Sequence, residues 1–136
     1  MIIAIDFDGT CVTHEYPSVG KEIGAVPLLQ ELVGNGHKLI LFTMRSGKTL
    51  EDAVNWFKQN EIHLYGIQTN PSQSEWTSSP KAYAELYIDD AALGCPVKFD
   101  EEFSQRTFVD WVKVKEMLIG MSILKLESKL FSEPVN

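Results

Sequence analysis

The chain opens on an unbroken apolar run, MIIAI, that gives way to two carboxylates and a turn, DFDGT (residues 6–10). A short continuous apolar stretch is the pattern of a strand covered on both faces, so residues 1–6 are expected to form a central strand. The following CVTHEYPSVGKEIG carries Pro17, Gly20 and Gly24 and no lasting periodicity, as a loop or small flap does. AVPLLQELVGNG reads as a helix with Pro27 in its first turn, Leu28, Leu29, Leu32 and Val33 inward, and Gly34 as its stop. HKLILFT (37–43) is a second buried strand. SGKTLEDAVNWFKQN predicts a helix capped at Thr49, with Asp52 three residues on and Leu50, Ala53, Val54 and Phe57 on its buried stripe. IHLYGIQT (62–69) is a third strand, interrupted by His63 and Gly66, and the polar loop NPSQSEWTSS leads into a short helical turn begun by Pro80. AELYIDD (84–90) and PVKFD (96–100) are the fourth and fifth strands, and TFVDWVKVKEML starts an amphipathic helix at about residue 107, in a helical region reaching about residue 131.

Strands alternating with helices imply βαβ crossovers and a mostly parallel sheet, a three-layer, Rossmann-like α/β fold. No repeat or linker divides the 136 residues, so one domain spanning 1–136 is expected. The net charge of −7 disfavours a broad grip on nucleic acid, which needs clustered Lys and Arg. No apolar run is long enough to cross a bilayer and MIIAI lacks the basic flank of a signal peptide, so a cytoplasmic protein is expected. Cys11 and Cys95 form no CxxC pair and read as reduced thiols, with Cys11 near enough to the turn to line a site.

Open α/β sheets bind ligands outside the carboxyl ends of their strands. Those ends collect Asp6 and Asp8 after the first strand, Thr43 after the second, Asn70 near the third, and Asp89 with Asp90 after the fourth, with Lys81 just ahead of it. Four converging carboxylates repel one another unless protonated or bound to a cation. An all-oxygen set without paired thiols favours Mg²⁺, which takes one or two carboxylates together with substrate phosphate. That points to phosphoryl chemistry.

DFDGT after the first strand, the Thr of LFTMRSG, the Lys of SSPKAYAE and the acidic pair of YIDDA, in this order over roughly residues 1–95, resemble the four motifs of the haloacid dehalogenase superfamily. The resemblance implies that Asp6 attacks phosphorus to form an aspartyl-phosphate, and that Asp8 protonates the leaving oxygen and then activates water. It further implies that Thr43 donates to a phosphoryl oxygen and Lys81 offsets the charge of phosphate and Asp6. Asp6, the Asp8 backbone carbonyl and Asp89 would surround Mg²⁺, with Asp90 bound through water or orienting that shell. Gly9 permits the turn that brings Asp8 over the site, and Thr10 is expected to hold Asp8 by a hydrogen bond. The flap and the stretch from Met44 to Pro80 are too short for an inserted cap, so a small capless member is implied, whose open site suits a macromolecular substrate or a lid from a neighbouring subunit; a phosphorylated small molecule is the expected partner.

Plainer readings stand beside these. Asp90 before AALG has the position of a helix N-cap, Thr43 suits a strand, and Lys81 alone would be a solvated lysine. His14, His37 and His63 lack metal-ligand spacing, and of these His14, in the flap, is the one placed to touch substrate. Arg45 is expected to be an exposed guanidinium clamping a second anionic group of the substrate. The tail LIGMSILKLESKLF suits either a surface between copies of the chain or packing on its own sheet. The alternative function is a phospho-accepting or metal-binding regulatory domain without turnover; within the enzyme class, a nucleotide or polynucleotide-end phosphatase.

Overall fold

Ile2–Ile5 (β1) lies between two parallel neighbours, Lys38–Leu41 (β2) and Leu86–Ile88 (β4), and Gly66–Ile67 (β3) extends the sheet beyond β2, giving the order β3-β2-β1-β4. The computed structural model describes residues 1–126. In register, Ile5 pairs with Leu41 on one side and Ile88 on the other, so the three strands end level and their following residues share one rim.

The continuous apolar pattern of β1 and β2 has two destinations. Ile3, Ile5, Leu39 and Leu41 are fully buried in the main core, together with the inward residues of three helices, Ala25–Gly34 (α1), Gly47–Gln59 (α2) and Trp111–Gly120 (α3). Each such side chain contributes about 1.5–3 kcal/mol by leaving water. The alternate residues Ala4 and Ile40 form a second, small cluster with Ala84, flanked by Ile2 and Tyr65. The fold is thus the expected α/β arrangement around a parallel sheet, without a cap domain. The cover over Ala4 and Ile40 includes the loop of residues 68–85, through Ala84, rather than a buried helix face.

Several boundaries differ from expectation. The helix expected to be capped at Thr49 begins earlier, at Gly47, so Thr49 lies inside the first turn and its hydroxyl donates to the Ser46 carbonyl at 2.8 Å. Its buried stripe is Ala53, Trp56 and Phe57, with Leu50 and Val54 partly covered. The third strand contracts to two residues because Gln68 takes a left-handed φ of 65° and turns the chain away. Pro80 starts no helical turn: the buried Gln73 side chain, in a 3-10 turn at Gln73–Glu75, donates to the Ser79 and Lys81 carbonyls and accepts from Tyr83 N–H, which fixes residues 79–83 as irregular chain. The last helix starts at Trp111 instead of 107. Phe108–Val109 (β6) pairs antiparallel with Val97–Lys98 (β5), and the Asp110 carboxylate then accepts from Lys113 N–H as the helix cap. The helix ends at Gly120, and residues 127–131 of the expected helical region lie outside the described residues. Among the described residues no helix is long and apolar enough to cross a membrane.

Candidate functional site

The turn after β1 is fastened from both ends of the chain. The N–H groups of Thr10 and Cys11 close onto the Phe7 carbonyl, at 3.1 and 2.8 Å, and Asp6 N–H continues the ladder to Ile88. From far along the sequence, Val109 N–H donates to the Gly9 carbonyl (2.9 Å) and the buried Trp111 indole N–H to the Thr10 carbonyl (2.7 Å). A buried indole N–H needs such a partner, and here the partner is the site loop.

Asp6, Asp89 and Asp90 each bring an oxygen within 4.8 Å of the others. Thr10, expected to hold Asp8, instead donates to Asp6 Oδ2 at 2.8 Å, lies 3.3 Å from Asp90 Oδ1, and accepts the Asp90 N–H at 3.0 Å. The correction follows from the turn, which points Asp8 elsewhere. Asp90 is no helix cap either. Its Oδ2 meets His14 Nε2 at 2.8 Å, whereas Asp89 makes the local bond, accepting from Ala91 N–H. The His14–Asp90 pair crosses directly over Gly9: a Cβ there would lie 2.0 Å from His14 Nε2 and 2.5 Å from Asp90 Oδ2, and φ is +81°. Glycine is required at this position twice over.

Burial pushes the Asp6 carboxyl up to about 8; the Thr10 hydroxyl opposes this, while the Asp89 charge and the Asp90 carboxyl push it further up. No lysine or arginine forms an ion pair with Asp6, Asp89 or Asp90 among the described residues. Three carboxylates, with the His14 imidazole on the outer oxygen of Asp90 and a central member that resists ionising without added positive charge, fit a hard divalent ion such as Mg²⁺. Cys11 is fully buried and its thiol is pushed up by that burial, so it lines nothing and offers no thiolate.

Asp8 has the opposite surroundings. Arg45 Nε donates to its Oδ2 and Arg45 Nη2 to its Oδ1, both at 2.8 Å. The same guanidinium donates to the carbonyls of Pro17 (3.3 Å), Ser18 (2.7 Å) and Thr49 (3.1 Å). Its carbon also lies 5.0 Å from the Phe7 ring centroid and 5.2 Å from that of Tyr16. Arg45 is 1% exposed, so the expectation of an exposed anion clamp is corrected: its five N–H groups are all engaged by Asp8, the flap and α2. The Asp8 bond raises the Arg45 pKa, with burial pulling the other way.

Beside the acids lies an open recess of about 300 Å³ lined by Asp6, Phe42, Thr43, Met44, Gln68 and Asp89. Thr43 Oγ1 accepts the Arg45 N–H at 3.1 Å, which leaves its own proton to donate outward. Gln68 clamps the Thr43 backbone, accepting its N–H (2.8 Å) and donating to its carbonyl (2.6 Å). The rim position assigned to Asn70 therefore belongs to Gln68; Asn70 is buried and bonded to the Tyr83 carbonyl and Ser72 N–H. Lys81 is exposed, with Nζ 5.5 Å from the Tyr87 ring centroid rather than on the acids. The structure thus joins Asp6, Thr10, Asp89, Asp90 and His14 in one cluster, sets Thr43 across the recess, pairs Asp8 with Arg45, and leaves Lys81 at the margin. Gln68 and the indole of Trp111 had no assigned part in the sequence reading. The first has a rim signal, a polar residue ending the third strand, and the second has none beyond an apolar stripe.

No protein-family model and no curated protein matches the chain. A solved structure of a conserved protein from Bacteroides thetaiotaomicron is similar to it, with a TM-score of 0.71 and 32% identity, covering 93% of this chain and 98% of that one. The two chains belong to one family, and the likeness carries the fold and no activity.

Proposed function

We propose that the protein is a Mg²⁺-dependent phosphomonoester hydrolase working through an aspartyl-phosphate on Asp6, in the manner of the haloacid dehalogenase superfamily. The observation that carries this reading is the meeting of Asp6, Asp89 and Asp90 within 4.8 Å at the strand rim, beside a recess bordered by the Thr43 hydroxyl. Asp6, Asp89 and Asp90 would hold the cation, which supplies charge stabilisation to the phosphoryl group when bound. Thr10 holds Asp6 Oδ2, and in this reading the other oxygen attacks phosphorus. A bond forms between that oxygen and phosphorus as the ester P–O bond breaks, and Thr43 donates to a non-bridging oxygen. The leaving oxygen takes a proton, in this reading from Asp8, which has to come off Arg45 to deliver it.

A panel of phosphomonoesters assayed with and without Mg²⁺, on wild type and Asp6→Asn, tests the proposal. Turnover is expected to require the cation and to vanish in the variant; activity surviving either removal overturns it. The Asp8–Arg45 pair favours a second reading, a phospho-accepting domain whose Asp6 is modified but not turned over, because a carboxylate so tied activates no water. Acetyl phosphate followed by mass spectrometry separates the two: a phosphoprotein lasting many minutes supports the regulatory reading, and rapid loss supports the hydrolase.

A further inference from the structure

The recess beside Asp6 has an apolar wall. Phe42 and Tyr87 stand together on the sheet face of Ala4 and Ile40, their ring centroids 6.4 Å apart at an interplanar angle of 58°. They are 38% and 37% exposed, and Met44 at the same rim is 96% exposed. Phe42 and Met44 border the recess of about 300 Å³, and Phe42 and Tyr87 border an adjoining one of about 200 Å³; Asp6 and Asp89 belong to both. An ester substituent that enters these recesses from a phosphoryl group held at Asp6 meets these side chains.

Two polar groups of that wall are already engaged, while the exposed Lys81 ammonium stands 5.5 Å from the Tyr87 ring centroid and the Thr43 hydroxyl borders the recess. The Gln68 amide is committed to the Thr43 backbone and the Arg45 carbonyl. The Tyr87 hydroxyl donates to the Ala82 carbonyl (2.7 Å) and accepts the Ala84 N–H (3.2 Å), which fixes the ring and keeps its polar end away from a ligand. An aromatic ring laid against Phe42 and Tyr87 gains contact with an aromatic surface and leaves water, a gain that a hydroxyl-bearing chain does not match. From this wall we infer that the substrate is a small phosphomonoester whose leaving group carries an aromatic ring, and not a sugar phosphate. The inference rests on the phosphohydrolase reading and names its substrate class.

The test compares phenethyl phosphate with ethyl phosphate and glycerol phosphate under Mg²⁺, since all three leave as alkoxides and differ mainly in what meets the wall. The expected kcat/KM ratio, phenethyl over ethyl, is about 10- to 100-fold and expressed through KM. Phe42→Leu, which keeps apolar bulk but removes the flat ring, is expected to pull that ratio several-fold toward one. Being internal to one preparation, the ratio is insensitive to any loss of folded protein. Equal values for phenethyl and ethyl phosphate, or a preference for glycerol phosphate, overturn the substrate class and leave the hydrolase standing. Absence of any turnover overturns the hydrolase, and calorimetric titration with phenethylphosphonate against ethylphosphonate then decides the wall: tighter phenethyl binding supports it, and equal binding overturns it.

Discussion

Asp6 and Asp8 are separated by one residue and live in opposite electrostatic settings. Asp6 faces Asp89 and Asp90 with a hydroxyl as its nearest donor, and its carboxyl is pushed up to about 8. Asp8 has both oxygens engaged by a buried guanidinium. The backbone turn over Gly9 sends the two side chains to different partners, one to a cluster of acids with no Lys or Arg paired to it among the described residues and His14 on its edge, the other to a cation with no bond left to give. The difference teaches that a DxD pair is not one acidic patch: its first member is built to receive positive charge and its second already has it.

The largest expected effect comes from asking whether Asp8 ever leaves Arg45. If it serves as acid and base, Asp8→Asn lowers kcat about 10²- to 10⁴-fold and the phosphorylated enzyme accumulates; an unchanged kcat, measured by phosphate release, removes Asp8 from the chemistry. Next is the pair as a structural element. Arg45→Met strands Asp8, whose side chain is 16% exposed, and frees the Pro17, Ser18 and Thr49 carbonyls, with an expected destabilisation of about 3–5 kcal/mol in urea melts. The double variant Asp8→Asn/Arg45→Met is expected to recover part of that loss, and strict additivity would deny the coupling. Gly9→Ala forces a left-handed Cβ into the His14–Asp90 contact and is expected to cost about 1–3 kcal/mol while weakening Mg²⁺ binding; an unaltered melting curve would contradict the close approach.

The smallest readout, a metal-induced shift in melting, sharpens the other side of the comparison. Below about pH 3.8 Asp6 is protonated whether folded or unfolded and adds no pH dependence. As pH rises from there to about 8 the unfolded chain gives up its proton and the folded one keeps it, so metal-free stability falls across this window. Mg²⁺ at about ten times its Kd is expected to restore about 1.4 kcal/mol at pH 8 and less at pH 5.5, read as a shift in Tm. A larger shift at the lower pH would show that the ion does not bind Asp6.

The sequence carried the strand-end acids because their signal is local: an apolar run ending in Asp is conspicuous, and the rim rule places Asp6, Asp89 and Asp90 on one edge without any knowledge of side-chain directions. What it lacked were the directions. Thr10 lies two residues from Asp8 and four from Asp6, and only the turn decides which one it bonds. Arg45 beside Thr43 has the composition of an anion clamp, yet its fate depends on Pro17 and Ser18 folding back over it. Short elements failed for a related reason. Phe108–Val109 has strand chemistry but only two residues to express it, ahead of a helix with a stronger pattern, and the 3.6-residue period absorbed it.

The hydrogen bond from the Trp111 indole to the Thr10 carbonyl spans 101 positions of sequence. During synthesis every acid of the cluster is joined to the chain before Trp111, the residue that braces their loop. A chain ending near residue 95 thus has the three acids without the brace, and their loop gains its indole hydrogen bond only when the third helix docks.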